Sequence, residues 1–245
     1  MIKDNKTVVI FNSPKGSGKD IAADMMKEYF SSGVRLSFKD ELYKDTARHF
    51  NISVEDLIDY HNDRELKEIP DLMFPKYQSE SLKQYFFSLI YVIGVLINNS
   101  YLMSLGYYSS REALIHVSED LVKPKCGEEH YGRQLAHRIE QTSETFFFVG
   151  DGGFKFEVVP LLDKGYNVVI AQLMRSGTTF EGDSRSLLNK DDFKEYTNIT
   201  FTTIDNNGSL DDLYKSIVDF SYDIVLTQIQ PIYGGNYSEY EIVET

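Results

Sequence analysis

The sequence of 245 residues contains one cysteine, no tryptophan and no long hydrophobic run. A single cysteine, Cys126, excludes an internal disulfide and is typical of a reducing compartment such as the cytoplasm. The longest apolar stretch, residues 85–97, is interrupted by Ser88 and Gly94 and is too short to span a bilayer. The apolar run near the N-terminus is too short for a signal peptide. We therefore expect a cytoplasmic protein without a membrane partner.

Positive charge is also scarce, because 25 Lys and Arg residues stand against 38 Asp and Glu residues, which gives a formal net charge of −13. This balance argues against broad, nonspecific binding to nucleic acid or to an anionic membrane, although it allows a local basic site. The length suffices for one domain, residues 1–245, with an inserted subdomain or lid.

The most informative stretch is residues 7–20, TVVIFNSPKGSGKD. Its apolar, β-branched start predicts a buried strand, a loop with two glycines follows, and a helical pattern begins at Lys19. Strand, glycine loop, lysine and helix is an arrangement that binds phosphate, because backbone N–H groups, the helix N-terminus and the lysine all offer positive charge. The predicted phosphate-binding residues are Ser13, Lys15, Gly16, Ser17, Gly18 and Lys19.

The usual phosphate-loop pattern is a glycine, any four residues, then Gly-Lys followed by Ser or Thr. Two positions of this chain depart from it. Ser13 stands where the first glycine belongs, and Asp20 replaces the hydroxyl residue that normally contacts magnesium. A carboxylate at this position could bind magnesium directly or through water, but it also adds negative charge beside the phosphates. Asp20 is therefore the candidate metal ligand. The alternative is that the glycine turn only introduces a helix.

Further strands alternate with helical patterns, which predicts an α/β fold with a parallel sheet of about five strands and helices on both faces. Ligands bind beyond the carboxyl ends of parallel strands, so Asp151, at the end of the strand predicted at 145–151, is expected beside the phosphate loop. The polar segment 175–197 carries Arg175 and Arg185 and has the place of a lid. The alternatives are a turn aspartate and a solvated loop.

The middle of the chain, residues 51–106, is predicted to be mainly helical. It contains a charged segment around Arg64, which is either a solvated connector or a substrate-facing loop. Next, Ser109 and Glu112 form a capping-box pattern that places Arg111 in the first turn of a helix. A cation there opposes the helix dipole, which favours a functional role. Residues 221–245 form a C-terminal tail.

Together these separated pieces resemble the phage deoxynucleoside monophosphate kinases, members of the P-loop nucleoside monophosphate kinase class. The resemblance covers most of the chain up to about residue 220. The segments that carry it are 13–20 (phosphate loop), 36–42 (second strand and helix start), 64–68 (charged patch of the monophosphate-binding insert), 110–114 (acceptor-gripping segment) and 205–213 (turn near the adenine of ATP).

The resemblance implies a three-layer P-loop kinase fold with a helical acceptor-binding insert (51–106) and a short lid (175–197). It implies ATP and Mg²⁺ as cofactors and phosphoryl transfer from ATP to a deoxynucleoside monophosphate. The residue roles it implies are catalysis by Lys19, Asp151, Arg175 and Arg185, ATP binding by Asp20 and Asn207, and acceptor binding by Lys39, Arg64, Arg111 and Asp151. The partner would be a small nucleotide, a homodimer would be compatible with it, and a phage-encoded chain would act in the host-cell cytoplasm.

One departure from the family bears on the acceptor. The family usually follows its third strand with Asp-x-Arg, whereas this chain has Asp151, Gly152 and Gly153. Either Arg185, Arg175 or Arg111 replaces that arginine, or the acceptor differs. A related set of phage kinases phosphorylates 5-hydroxymethyluracil in DNA, and this is the second interpretation, with DNA as the partner. A nucleotide-binding protein without transferase activity is the third.

Overall fold

The structure is a computed structural model that describes residues 6–30, 32–77, 82–183 and 185–233. The chain divides into two compact units. The first, here called the sheet unit, comprises Met1–Ser37 and Leu135–Thr245. The second, here called the helical unit, comprises Phe38–Gln134 and is larger than the predicted insert at 51–106. A single functional domain over residues 1–245 stays a prediction.

The sheet unit is built on five parallel strands. In chain order they are β1 (Thr7–Phe11), β2 (Gly33–Leu36), β5 (Phe146–Val149), β6 (Asn167–Met174) and β7 (Ile199–Asp205). Their order in the sheet is β2-β5-β1-β6-β7, so β1 is central. In register, Val9 pairs with Phe148 on one side and with Val169 on the other. The predicted α/β fold with five parallel strands is confirmed.

The central strand β1 and its neighbour β5 are almost entirely apolar because both faces of the sheet are covered there. Val9 and Phe11 pack with Met26 of α1 (Lys19–Tyr29) and with Ile217 of α10 (Leu210–Tyr233). Successive strand side chains point to opposite faces. Val8 and Ile10 therefore belong to the other face, and they too are fully buried. Helix α9 (Lys155–Asp163), which also belongs to the sheet unit, packs against β6.

The helical unit contains most of the remaining helices. They are α2 (Lys39–Phe50), α3 (Val54–Asn62), α4 (Leu82–Leu96), α5 (Ser100–Ser104), α6 (Ser110–Ile115), α7 (Lys123–Cys126) and the first half of α8 (His130–Glu140). Its core includes Phe50, Leu57, Phe74 and Ala113. Residues 97–99 separate α4 from α5, and the predicted capping box of Ser109 and Glu112 begins α6.

Two features of the helical unit were not predicted from the sequence. A short antiparallel pair, β3 (Pro70–Pro75) and β4 (Tyr107–Ser109), lies within and just after the stretch 51–106 that was predicted to be mainly helical. Proline is tolerated at the ends of such an edge strand because it has no N–H to donate. Helical backbone also continues past Pro124, because a π-helical turn at His116–Val122 precedes it and Pro124 falls in the first turn of α7.

The two remaining predicted segments lie in the sheet unit. Residues 175–197 are mostly irregular and contain one 3₁₀ turn, Lys190–Phe193. Helix α10 continues to Tyr233, so the predicted tail begins as helix, and residues 234–245 lie outside the described residues. Among the helices that the structure describes, none combines the length and apolar character that crossing a membrane requires.

Candidate functional site

The loop between β1 and α1, residues 12–18, lies at the carboxyl end of the central strand. Gly16 and Gly18 have φ angles of +84° and +91°, a conformation that other residues rarely adopt. A Cβ atom on Gly18 would also lie 2.7 Å from Nδ2 of Asn206. Glycine is thus required at position 18, both for its backbone conformation and because a side chain there would collide with Asn206.

Buried polar side chains hold this loop in place. Asn206, which follows β7, donates from Nδ2 to the carbonyl oxygen of Ser17 at 2.7 Å. The Ser13 hydroxyl accepts from the backbone N–H of Leu173 in β6 at 2.6 Å and donates to the carbonyl oxygen of Asn12 at 2.7 Å. The serine that replaces the first glycine of the pattern therefore uses its hydroxyl to fasten the loop to the neighbouring strand.

Lys19 and Ser17 meet the requirements of an anion site. The Lys19 side chain is only 7% exposed, and its Nζ donates to the carbonyl oxygen of Pro14 at 3.2 Å. In the part of the chain that the structure describes, the Ser17 hydroxyl is buried and has no hydrogen-bond partner. A cation and an unsatisfied hydroxyl in a loop of positive-φ glycines fit a bound phosphate.

A cavity of about 440 Å³ opens beside the loop. Its wall combines apolar side chains with glycines, one amide, one hydroxyl and one cation: Gly16, Gly18, Ile21, Arg175, Asn206, Gly208, Ser209, Leu210 and Leu213. The volume lies within the range of small-ligand sites. Asn206 contributes to this wall, whereas the predicted Asn207 accepts from the backbone N–H of Ser176 at 2.7 Å. The sequence thus located the turn after β7, but it singled out Asn207 and missed Asn206, which lines the cavity.

The candidate metal ligand, Asp20, has a partner that the sequence did not predict. Its carboxylate is 71% exposed and lies 3.1 Å from Nη2 of Arg35 in β2. Nε of Arg35 lies 3.1 Å from Asp24, one turn further along α1. A Cβ atom on Gly150 would lie 2.7 Å from Oδ1 of Asp20, so this carboxylate lies beside the residue that precedes Asp151.

Asp151 accepts a hydrogen bond of 2.6 Å from the hydroxyl of Ser37, which follows β2. Asp20, Asp151 and Ser37 therefore supply oxygen atoms at the carboxyl edge of the sheet, and oxygen is the donor that Mg²⁺ prefers. Within the described ranges, no group of three or more His, Cys, Asp or Glu side chains forms a ready metal site. Mg²⁺ at this edge would need phosphate oxygens to complete its coordination.

Arg185 occupies the space beside Gly153. A Cβ atom on Gly153 would lie 2.6–2.8 Å from the Cβ, Cγ and Cδ atoms of Arg185, so a side chain at 153 and the observed Arg185 exclude each other. Two hydrogen bonds from the guanidinium group to Asp183, at 2.9 and 2.6 Å, fix its orientation. Of the three arginines considered as replacements at position 153, Arg185 is the one that packs on that glycine.

The Asp183–Arg185 pair is largely buried, and burial and the contacts within the pair shift the two pKa values in opposite directions. Burial raises the pKa of the Asp183 carboxyl group, but hydrogen bonds from Arg185 and the charge of Lys19 outweigh it and lower that pKa to about 2. For Arg185, burial lowers the pKa, while the contacts with Asp183 and the charges of Asp151 and Glu157 raise it, and the net change is upward. The pair stays ionised at neutral pH.

The second half of the predicted lid is fastened to the sheet. Nδ2 of Asn12 donates to the carbonyl oxygen of Ser186 at 2.9 Å, and its Oδ1 accepts from the N–H of Leu188 at 2.7 Å. Gln172 donates to the carbonyl oxygen of Leu188 at 2.8 Å. In the first half, the Thr178 methyl carbon lies 3.9 Å from the place of a Cβ on Gly16. The lid segment therefore reaches the phosphate loop.

Three of the predicted acceptor-binding residues, Lys39, Arg64 and Arg111, lie in the helical unit, whereas Asp151 lies in the sheet unit. Burial, together with the charges of Lys39, Lys67 and Arg111, lowers the pKa of His61 from 6.5 to about 4, while the charge of Glu68 opposes this shift. The three cations therefore act on the same imidazole. Nδ1 of His61 lies 3.1 Å from the hydroxyl of Ser110. Lys67 belongs to this cationic cluster although the sequence did not single it out.

Arg111 forms an exposed ion pair in which its Nε lies 2.8 Å from Oε1 of Glu68. Arg64 and Lys15, two other predicted binding residues, are exposed. The sequence missed Asn12, Arg35, Ser37, Asp183 and Asn206. Asn12, Ser37 and Asn206 each come directly after the last residue of a strand, and this position was the signal that could have identified them.

Comparison with known proteins gives a distant fold likeness. No protein-family model matches the chain, and no curated protein matches it. Among similar solved structures, dephospho-CoA kinase from Campylobacter jejuni is 14% identical, covering 90% of this chain and 98% of that chain with a TM-score of 0.39. TT1252 from Thermus thermophilus is 15% identical, covering 92% and 98% with a TM-score of 0.38. This likeness is too distant to support an activity, and the resemblance to phage deoxynucleoside monophosphate kinases stays a prediction.

Proposed function

We propose that this protein transfers the γ-phosphoryl group of ATP to the phosphate of a deoxynucleoside monophosphate. The observation that carries the proposal is the loop at residues 12–18, with its positive-φ glycines and the buried Lys19, beside a cavity of about 440 Å³ at the carboxyl end of β1. In the reaction an acceptor phosphate oxygen bonds to the γ-phosphorus while the bond from that phosphorus to the β–γ bridging oxygen breaks. The products are a deoxynucleoside diphosphate and ADP.

On the donor side, the residues hold ATP by three kinds of contact. Gly16, Ser17 and Gly18 bind the β- and γ-phosphates through backbone N–H groups, and Lys19 adds a positive charge. The base and sugar fill the cavity against Ile21 and the turn after β7, which includes Asn207. Ser13 and Lys15 belong to the same loop, with Ser13 fastening it and Lys15 contributing charge at its exposed side.

Asp20 and Asp151 would supply oxygen ligands to a magnesium ion, which would neutralise negative charge on the phosphates. To reach it, the Asp20 carboxylate exchanges its exposed contact with Arg35, which costs little because exposed ion pairs are weak. Asp151 alternatively orients the acceptor oxygen. Both roles use the same carboxylate, which Ser37 holds in position.

Arg185 and Arg175 offer positive charge to the phosphoryl group in transfer, which needs positioning and charge neutralisation more than covalent help. Asp183 orients Arg185 through two hydrogen bonds and is therefore a positioning residue. Arg175 contributes to the cavity wall and belongs to the lid segment.

On the acceptor side, Arg111, Lys39 and Arg64 bind the phosphate of the deoxynucleotide, with Lys67 as an additional cation. Support comes from the cluster of Lys39, Lys67 and Arg111 around His61 in the helical unit. A monophosphate dianion suits such a cluster, because guanidinium and ammonium groups form strong charge-assisted hydrogen bonds with phosphate.

A second candidate acceptor is 5-hydroxymethyluracil within DNA. The glycine at position 153, where the phage deoxynucleoside monophosphate kinases usually carry an arginine, favours it. The packing of the Arg185 Cβ, Cγ and Cδ atoms on Gly153 favours the small nucleotide instead, because it brings an arginine beside that position. The net charge of −13 also counts against a duplex, whose phosphates require a cationic track.

The test is an assay with ATP and Mg²⁺ against each deoxynucleoside monophosphate, in parallel with duplex DNA that contains 5-hydroxymethyluracil. We expect a deoxynucleoside diphosphate to form, and Lys19→Ala to reduce turnover at least about 100-fold because a charge on the transferring phosphates is lost. Lys27→Ala, an exposed lysine on the same helix, is the matched control and should keep full activity.

Three outcomes would contradict the proposal. Transfer to DNA alone would establish the second candidate. ATP binding without transfer to either acceptor would indicate a nucleotide-binding protein without transferase activity. Undiminished transfer by Lys19→Ala would show that the loop is not the donor site.

A further inference from the structure

Helix α4 of the helical unit is apolar on nearly all sides, although the described residues pack against one side only. On the packed side, Ser88 lies 2.6 Å from the Tyr107 hydroxyl, and Tyr91 is buried with Tyr107 and Met103. A helix that is apolar all round belongs in an interior. The other side of α4, together with α5, consists of large exposed side chains.

We call this exposed side the α4–α5 surface. Its six most prominent members are Tyr85, Phe86, Leu89, Leu96, Ile97 and Tyr101, of which Leu96 is 78%, Tyr101 70% and Tyr85 68% exposed. Tyr85, Leu89 and Leu96 recur at intervals of four and seven residues, so they lie on one face of α4. Contiguous apolar patches of this extent usually mark interaction sites.

The charge pattern limits what can cover the surface. Residues 84–110 contain no Asp, Glu, Lys or Arg, in a chain of which 26% is charged. A helix that binds a membrane surface usually has a basic polar face, whereas here single cations, Lys83 and Arg111, flank the stretch and the whole chain has a charge of −13. An uncharged face on an acidic protein is the place where two copies can meet with the least electrostatic repulsion.

The area also fits a second copy. With about 200 Å² for a fully exposed large side chain, the six residues expose roughly 800 Å² together, which is about what each partner contributes to a stable interface. A two-fold interface brings the same patch of both subunits together, so an apolar helix face needs no complementary charges to pair with itself.

We propose that the α4–α5 surface is the interface of a homodimer. The proposal concerns the helical unit alone and does not depend on the reaction that the protein catalyses. Two α4 helices, related by a two-fold axis, would bury their exposed faces against each other, and the hydrophobic gain from this burial would drive association.

Sedimentation equilibrium of the full chain from about 0.5 to 50 μM tests the proposal. We expect a species of twice the 28.2 kDa chain mass. Leu89→Glu should raise the dissociation constant at least about 100-fold, because two like charges would face each other across the two-fold axis. Ile115→Glu, an equally exposed apolar residue of the same unit outside the surface, is the matched control and should keep the wild-type constant.

Circular dichroism shows whether each variant is folded, and a second measurement covers the case in which Leu89→Glu unfolds. Leu89→Cys in a Cys126→Ser background carries one thiol per chain and should form a covalent dimer with a short bismaleimide. A wild-type monomer at every concentration would overturn the proposal. So would a dimer that survives Leu89→Glu in folded form, or a monomer that instead binds phosphatidylcholine vesicles through this surface.

Discussion

The predicted catalytic Arg185 and the predicted acceptor-binding Arg111 each pair with a carboxylate, and the two pairs differ in burial and geometry. In the sheet unit, Arg185 makes two hydrogen bonds to Asp183, and both side chains are largely buried. In the helical unit, Arg111 makes one contact with Glu68, and both side chains are substantially exposed. The first pair fixes its guanidinium group, whereas the second can exchange its partner at little cost.

The difference suggests distinct tasks for the two arginines. A group that stabilises charge during transfer benefits from a fixed orientation, because no reorganisation is then needed as the charge develops. A group that captures an incoming phosphate must release its resting partner first, and an exposed pair allows this. Three predictions test this comparison.

Breaking the buried pair should have the largest effect. The Asp183 pKa of about 2, against an ordinary 3.8, corresponds to about 2 kcal/mol of stability at neutral pH. This stability is present above pH 3.8 and is lost as the pH falls through about 2. We expect Asp183→Asn to lower the free energy of unfolding by about 2 kcal/mol or more at pH 7, because Arg185 is left buried without its partner.

Urea unfolding at pH 7 measures this change. Asp191→Asn is the control, since Asp191 forms an exposed ion pair with Lys194 in the same segment and should contribute less than about 0.5 kcal/mol. Equal stability of Asp183→Asn and Asp191→Asn would show that the Asp183–Arg185 pair is not the stronger of the two.

His61 should make the helical unit sensitive to acid. Its pKa is lowered from 6.5 to about 4 by burial and by the surrounding cations, so the unfolded chain binds a proton in this range and the folded chain does not. Stability is therefore complete above pH 6.5 and falls as the pH drops from 6.5 towards 4. His61→Gln should show a smaller decrease over this range in the midpoint of thermal unfolding.

The exposed His137 provides the control, and His137→Gln should follow the wild-type pH dependence. Arg111→Ala should raise the His61 pKa, measured by NMR titration, because one of the cations that lowers it is removed. An unchanged His61 pKa in this variant would separate Arg111 from the cationic cluster.

Breaking the exposed pair should have the smallest effect on stability. We expect Glu68→Gln to change the free energy of unfolding by less than about 1 kcal/mol. It should lower the KM for the acceptor, since Arg111 no longer has to leave a carboxylate. Arg111→Ala should raise that KM by about 10-fold or more, the value of one hydrogen bond to a charged group. Equal KM values in wild type and both variants would remove Arg111 from the acceptor site.

Much of the sheet unit was predictable because its signals are local. The apolar run before residue 12, the glycines at 16 and 18 and the following helix specify strand, loop and helix within one stretch of chain. The alternation of strands and helices predicted the parallel sheet, and the capping pattern of Ser109 and Glu112 predicted the start of α6. In the strand, loop and helix of residues 7–29 and in the capping box, the residues that interact are within a few positions of one another.

The hydrogen bonds that hold the candidate site were not predictable in this way. Asn12 contacts Ser186 and Leu188, Asn206 contacts Ser17, and neither asparagine differs in its local sequence from a turn residue. The β3–β4 pair was missed for the same reason. Its two short strands are separated by the 31 residues 76–106, and neither strand has a local pattern that indicates its partner.

By itself the sequence determined a parallel α/β sheet with a glycine loop and a lysine at the end of its first strand, because backbone preference and hydrophobic period act over neighbouring residues. The tertiary structure alone decided which groups meet at that edge. It paired Asp20 with Arg35, set Arg185 on Gly153 and tied the loop with Ser13 and Asn206. Those contacts join residues far apart in the chain, and only the order and register of the strands bring them together.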